Sequence, residues 1–272
     1  MNRGNVAGLG GGDDLRQWYR EIPFITRSFI TGTLLLGFLA TFNLIAINKL
    51  LFVSELVRMK FQVWRLITPF LFSGKFSFNF AMHLMVMYEN FKRYESNPFN
   101  TGAGGNSADF LYMIIICGGI QIIIAHYMNY FILSESILFT IMYVWSKRDP
   151  DALMSMFGFS LKGIYLPWVY VAIRLVMGSD IIMPLIGIAV GHIYYFTIQI
   201  LPVKYNYTLI KTPKYCIDIV NYMNGTTTTG AGGGGGVGVG VQQAPTAGFP
   251  APGRPGTGGG HQWGRGRVLG AG

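Results

Sequence analysis

The chain has 272 residues; 51% are hydrophobic and only 12% carry charge. That charged share is about half the usual one and too small to cover a water-soluble fold of this length, which points to lipid as the solvent. The net charge of +9 would suit nucleic acid, but Lys and Arg flank apolar runs here, an arrangement that orients membrane segments, so nucleic acid is excluded as a partner.

Residues 1–14 are Gly-rich, carry Asp13 and Asp14, and predict a flexible N-terminus. No basic start runs into a short apolar core, so no cleavable signal peptide is expected. A membrane domain follows over 15–215, with an all-α integral membrane fold of six predicted spans: 28–48, 76–91, 110–129, 131–146, 163–178 and 184–201. The first is long enough to act as a retained signal anchor. The second, fourth, fifth and sixth are short and interrupted by polar residues. Such spans either thin the bilayer or shelter against other helices.

The connection between the first two spans contains Phe61-Gln-Val-Trp64-Arg65-Leu-Ile-Thr68-Pro69. Trp64 is expected at headgroup level and Arg65 at phosphate, with the loop lying on the membrane surface. In the second span Lys75, Asn79 and His83 recur every four residues and predict one polar stripe. The functional reading is a wet groove; the plainer one is a snorkelling Lys75 with helix–helix hydrogen bonds for the others. Glu135 in the fourth span and Arg174 in the fifth have opposite charges and are expected to pair, as a gate, a substrate contact or a structural ion pair. In the sixth span Gly187-Ile-Ala-Val-Gly191 is a small-xxx-small pattern for close helix approach, and His192 follows as a base or a hydrogen-bonding partner.

Residues 216–272 predict a flexible Gly-rich tail. Its end, His261-Gln-Trp263-Gly264-Arg-Gly266-Arg-Val-Leu269, regains an aromatic and an aliphatic anchor and reads as a short docking peptide. Cys117 and Cys216 form no disulfide framework or metal spacing, and no phosphate-binding Gly-x-x-x-x-Gly-Lys-Ser/Thr stretch occurs; no cofactor is expected.

Lys and Arg near span ends set orientation. Arg16, Arg20 and Arg27, then Lys92 and Arg93, then Lys147, Arg148 and Lys162, and finally Lys204, Lys211 and Lys214 fall on one side of a six-span chain. That side is the cytosol, so both termini are cytosolic. The loop with Lys49, Arg58, Lys60 and Arg65 breaks the rule and predicts a structure of its own. Asn206-Tyr-Thr208 and Asn224-Gly-Thr226 fit the glycosylation pattern but fall on the cytosolic side, where neither would carry sugar.

An intramembrane serine protease is the enzymatic alternative. It needs a serine set opposite His192, with small residues beside it. Ser134, Ser136 and Ser146 lie in no Gly-x-Ser-Gly sequence, and Gly158-Phe-Ser160-Leu161 lacks the final Gly. A small-solute transporter is a second alternative, though no repeated broken-helix pattern is visible.

Several segments together resemble the derlin family, relatives of the rhomboid proteases without catalytic activity. They are Trp18 to Arg27, Phe61 to Arg65, Tyr143-Val-Trp145, Tyr165-Leu-Pro-Trp168, and Gly187 to His192. The stretch Trp263 to Leu269 resembles the peptide by which some derlins hold a cytosolic AAA ATPase, valosin-containing protein. The resemblance implies a six-helix rhomboid-like bundle in the endoplasmic reticulum membrane. It implies a non-enzymatic part in retrotranslocating misfolded proteins for degradation, within a locally thinned membrane. Implied partners are that ATPase, a membrane ubiquitin ligase complex, misfolded clients, the bilayer, and further copies or relatives in an oligomer. On this reading Asn79 and His83 line the client groove, Trp64, Arg65, Gly187, Gly191 and His192 are motif residues, and Trp263, Gly264, Gly266 and Leu269 dock the ATPase.

Overall fold

The computed structural model describes residues 11–156, 159–205 and 209–223, so the anchors Trp263, Gly264, Gly266 and Leu269 and both glycosylation-type asparagines lie outside the described residues. A short helix, α1 (Gly11–Glu21), leads through Pro23 into α2 (Phe24–Thr41). Helix α1 starts inside the stretch expected to be flexible, because Trp18 gains an aromatic neighbour in Tyr88. The next connection folds into α3 (Ser54–Lys60), a 3₁₀ turn at Val63–Leu66 and a one-turn α4 (Thr68–Leu71) with Pro69 at its start. Then come α5 (Phe78–Ser96), α6 (Ser107–Met128) and α7 (Ser134–Arg148). Helices α8 (Leu166–Val176) and α9 (Ile182–Tyr195) follow; α9 continues through a π-helical turn at Phe196–Ile200 into α10 (Leu201–Tyr205).

Each predicted span overlaps one helix among α2, α5, α6, α7, α8 and α9, although the first, 28–48, runs well past the end of α2 at Thr41. Among the described residues, three helical stretches are long and apolar enough to cross a membrane: Phe24–Thr41, Ser107–Met128 and Ile182–Tyr205, of 18, 22 and 24 residues. At 1.5 Å per residue the shortest of these covers about 27 Å, close to the hydrocarbon thickness. Helix α7 is only 15 residues long yet buried nearly all round: Ile137, Leu138, Phe139, Ile141, Met142, Val144 and Trp145 are all in the core. A helix buried on every face belongs inside a bundle, and α5, α6, α8 and α9 all pack on α7. Its shortness is sheltered by protein rather than lipid.

Three expectations need correction. The fold is not purely α: β1 (Leu153–Met156) and β2 (Phe159–Lys162) form an antiparallel hairpin between α7 and α8, with Leu153 opposite Lys162. The turn at Asp149–Pro150 ends α7, and two short segments then satisfy each other's backbone groups. The tail does not become flexible at 216, since α11 (Lys214–Met223) buries Cys216 and Val220 and packs on α6. Lys75 is off the polar stripe: α5 begins only at Phe78, capped by the Ser77 hydroxyl accepting from Phe80 N, and Lys75 instead reaches Asn43 Oδ1 at 3.3 Å.

Two buried carboxylates tie elements together at the end of the bundle rich in Lys and Arg. Glu95, at the close of α5, accepts from the backbone N–H of Ile25 (2.9 Å) and Thr26 (2.7 Å) and from the Thr26 hydroxyl (2.7 Å). It thereby satisfies free donors in the first turn of α2, where the helix dipole also favours negative charge. Asp109, in the first turn of α6, accepts from the hydroxyls of Thr101 and Thr212 and from Ala103 N and Gly105 N, closing the loop before α6 against the segment leading into α11.

Candidate functional site

The Ser77 cap sets the helical phase of α5, and the four-residue spacing then puts Asn79 and His83 on one face. That face looks into a cleft bounded by the first turn of α7 and the last turn of α8. Glu135 enters from α7 and Arg174 from α8. Arg174 Nη1 lies 2.8 Å from Glu135 Oε1, and His83 Nδ1 lies 3.2 Å from the same oxygen. Each charge is at the helix end whose dipole favours it, acid at an N-terminus and base at a C-terminus. The sequence offered a polar stripe and a separate ion pair. The structure joins Asn79, His83, Glu135 and Arg174 in one cavity of about 170 Å³, otherwise walled by apolar side chains.

A second cavity of about 400 Å³ continues along α5 toward the basic end. Met82, Val86 and Tyr170 line both. Beyond them Glu89, Asn90 and Arg93 supply polar groups, and Leu153 and Met154 of β1 close the end. Asn90 is held there by Trp145, whose indole N–H donates to Asn90 Oδ1 at 2.7 Å, while Arg93 stacks over the same ring at 4.9 Å. The two cavities form a trough between α5 and α8, polar at both ends and lined by Met, Val and Tyr between them.

The other side of α7 is closed. A Cβ at Gly187 would fall onto the Ser136 carbonyl oxygen, and one at Gly191 would come within 3.0 Å of the Thr140 carbonyl oxygen. Only glycine lets α9 approach α7 this closely. The Thr140 hydroxyl accepts from Gln121 Nε2 at 2.7 Å and lies 2.8 Å from the Gly187 carbonyl oxygen, so α6, α7 and α9 meet at one point. His192 is exposed on the bundle surface, and its Nδ1 lies 2.8 Å from the Tyr143 hydroxyl. Among the described residues no three His, Cys, Asp or Glu side chains gather to hold a metal ion.

Trp64 and Arg65 separate. Trp64 is 49% exposed, beside exposed Phe61, Val63 and Ile67. Arg65 is 4% exposed: its Nη1 donates to the carbonyls of Asn48 (2.7 Å) and Leu51 (2.6 Å), and its Nε to Gln62 Oε1 (2.6 Å). The expected contact of Arg65 with lipid phosphate is therefore corrected: its Nε and Nη1 are engaged in knotting the loop, and the side chains this segment exposes are the apolar ones around Trp64. The roles of Glu95 and Asp109 were missed by sequence reasoning. Both rest on partners many residues away, and no local pattern marks either one.

The Der1-like family matches residues 22–214. Derlin-2.2 of Arabidopsis thaliana is 33% identical over 213 residues, covering 74% of this chain and 86% of the relative. Derlin-1 of the same plant is 34% identical over 208 residues, covering 75% and 76%. A probable derlin-2 homolog of Dictyostelium discoideum is 31% identical over 216 residues, covering 76% and 82%.

Proposed function

The chain belongs to the Der1-like family, and we propose that it is a non-catalytic factor of endoplasmic reticulum-associated degradation that helps misfolded proteins move from lumen to cytosol. It is a helical membrane protein, and on this reading α2, α5, α6, α7, α8 and α9 cross the bilayer as a rhomboid-like bundle with both termini cytosolic. The basic end then faces the cytosol and the end carrying Trp64 faces the lumen.

The observation that carries the reading is the trough between α5 and α8, open along the bundle with polar groups at both ends. A polar segment crossing hydrocarbon meets a large transfer cost, and the trough shortens the apolar distance between two polar stations. Helix α8 has 11 residues, about 16 Å of rise, so the bilayer beside the trough thins to meet it. His192 bonded to Tyr143, rather than to a serine hydroxyl, supports a bundle without a nucleophile. The tail peptide around Trp263 and Leu269 recruits a valosin-containing-protein-type ATPase that supplies the pulling work. A membrane ubiquitin ligase and further copies or relatives complete the assembly.

The test is a photoreactive residue at Met82, which lines both cavities. During degradation of a misfolded client the full-length protein should capture it from Met82 well above capture from Ile115, which is exposed on α6 away from the trough. Equal capture at the two positions rejects the trough as the client path.

A further inference from the structure

The charged end of the trough is chemically unfinished. The ion pair uses Arg174 Nη1 and Glu135 Oε1. Glu135 Oε2, an acceptor, and Arg174 Nε–H, a donor, are both buried without a hydrogen-bond partner among the described residues. Both ring nitrogens of His83 are in the same position, Nδ1 at 3.2 Å from Glu135 Oε1 but without hydrogen-bond geometry, on a side chain 3% exposed. Met82, Leu138, Phe139 and Ile173 wall the space around them. Buried polar atoms without partners are costly, more so in lipid than in water, so the site is best stabilised by an occupant bringing a donor and an acceptor together.

We propose that this cleft binds uncharged amide groups of client segments lying within the bilayer, the carboxamides of Asn and Gln and exposed main-chain amides, and discriminates against ionised side chains. The inference rests on the trough reading and adds what the trough selects. An amide N–H donates to Glu135 Oε2 while its carbonyl accepts from Arg174 Nε–H, and His83 Nε2 and Asn79 stand beside them. A cavity of about 170 Å³ has room for such a group; it is nearly six times the roughly 30 Å³ that one water occupies in the liquid. A carboxylate would repeat the charge of Glu135 and an ammonium that of Arg174. The pair is neutral as a whole, so neither ion finds compensation. An aliphatic side chain fills the space but leaves the polar atoms unpaired.

The experiment uses the full-length protein with the photoreactive residue at Met82 and four single-pass clients that differ at one position near the lumenal side of the segment: Gln, Leu, Glu or Lys. With two hydrogen bonds of ordinary intramembrane strength, the Gln client should be captured about five- to tenfold more than the Leu client. The Glu and Lys clients should not exceed Leu. In Glu135→Leu/Arg174→Leu the Gln-to-Leu ratio should fall to about one, and a circular-dichroism spectrum and micelle unfolding midpoint close to those of the parent show that this variant is folded. Equal capture of Gln and Leu by the unmodified protein, preference for Glu or Lys, or a preference kept in the double variant would overturn the proposal. In each of those cases capture itself persists, so the trough reading survives. Capture of no client at Met82 overturns both.

Discussion

Helix α7 faces its neighbours on two sides in opposite ways. Toward α9 it offers carbonyl oxygens and Thr140 to a glycine edge, and the backbones touch. Toward α5 and α8 it offers Glu135, Leu138 and Phe139 to a cavity. Membrane helices gain little from burying apolar area against each other, because lipid tails are equally apolar, so close packing and hydrogen bonds decide which contacts hold. One side of α7 uses both and acts as a fixed frame. The other gives up packing to keep polar atoms available beside lipid. This asymmetry lets one short helix anchor the bundle and form a wall of the trough.

The largest expected effect comes from forcing the closed side open. In Gly187→Leu/Gly191→Leu each new side chain meets α7 backbone, which cannot rotate away as a side-chain tip can. Overpacking typically costs 1–3 kcal/mol per site, so about 4 kcal/mol of stability should be lost for the pair. Unfolding in mixed micelles, followed by circular dichroism, reads this directly. A double variant as stable as the parent would show that the frame is not where the glycines meet α7.

How much of this contrast was visible beforehand depends on the range of each contact. The glycine spacing lies within five residues of one helix, so Gly187 and Gly191 could be picked out, though not their partner. The same holds for Asn79 and His83, four residues apart. That His83 sits on Glu135 was not visible, because contact across 52 positions depends on which helices are neighbours and how each is rotated. Lys75 was misplaced for a local reason: the four-residue spacing with Asn79 and His83 assumes a helix already formed at 75, whereas Gly74 turns at positive φ and the Ser77 cap starts α5 only at Phe78. Arg65 was misread because a basic residue among aromatics looks the same whether its donors meet phosphate or carbonyls. The β1–β2 hairpin escaped notice because two four-residue strands give too short an alternation to stand out.

A smaller effect, and one that separates stability from function, is expected on the open side. Glu135→Leu alone leaves Arg174, 19% exposed, without its counter-charge, and should cost about 3 kcal/mol. Adding Arg174→Leu removes the uncompensated ion and should restore most of that stability, as replacement of a buried pair by apolar residues often does. Preferential capture of the Gln client should be lost in both variants. A double variant no more stable than the single one would mean that the ion pair holds α8 to the bundle, and the open side would then be a second frame rather than a trough.

The smallest effect is the most exact probe of the closed side. Gln121 is 1% exposed, donates to Thr140 through Nε2, and buries Oε1 without a partner among the described residues. Gln121→Leu removes one hydrogen bond but also one unsatisfied acceptor, and Thr140 keeps its bond to the Ser136 or Gly187 carbonyl. Interhelical hydrogen bonds in membranes average about 0.6 kcal/mol, so the net change should be about 0.5 kcal/mol or less. Thr140→Val should cost more, since it strips the donor shared between α7 and α9 and strands the Gln121 amide as well. If Gln121→Leu proves the more damaging of the two, the three-helix meeting point is organised by α6, and the frame includes α6 as fully as α9.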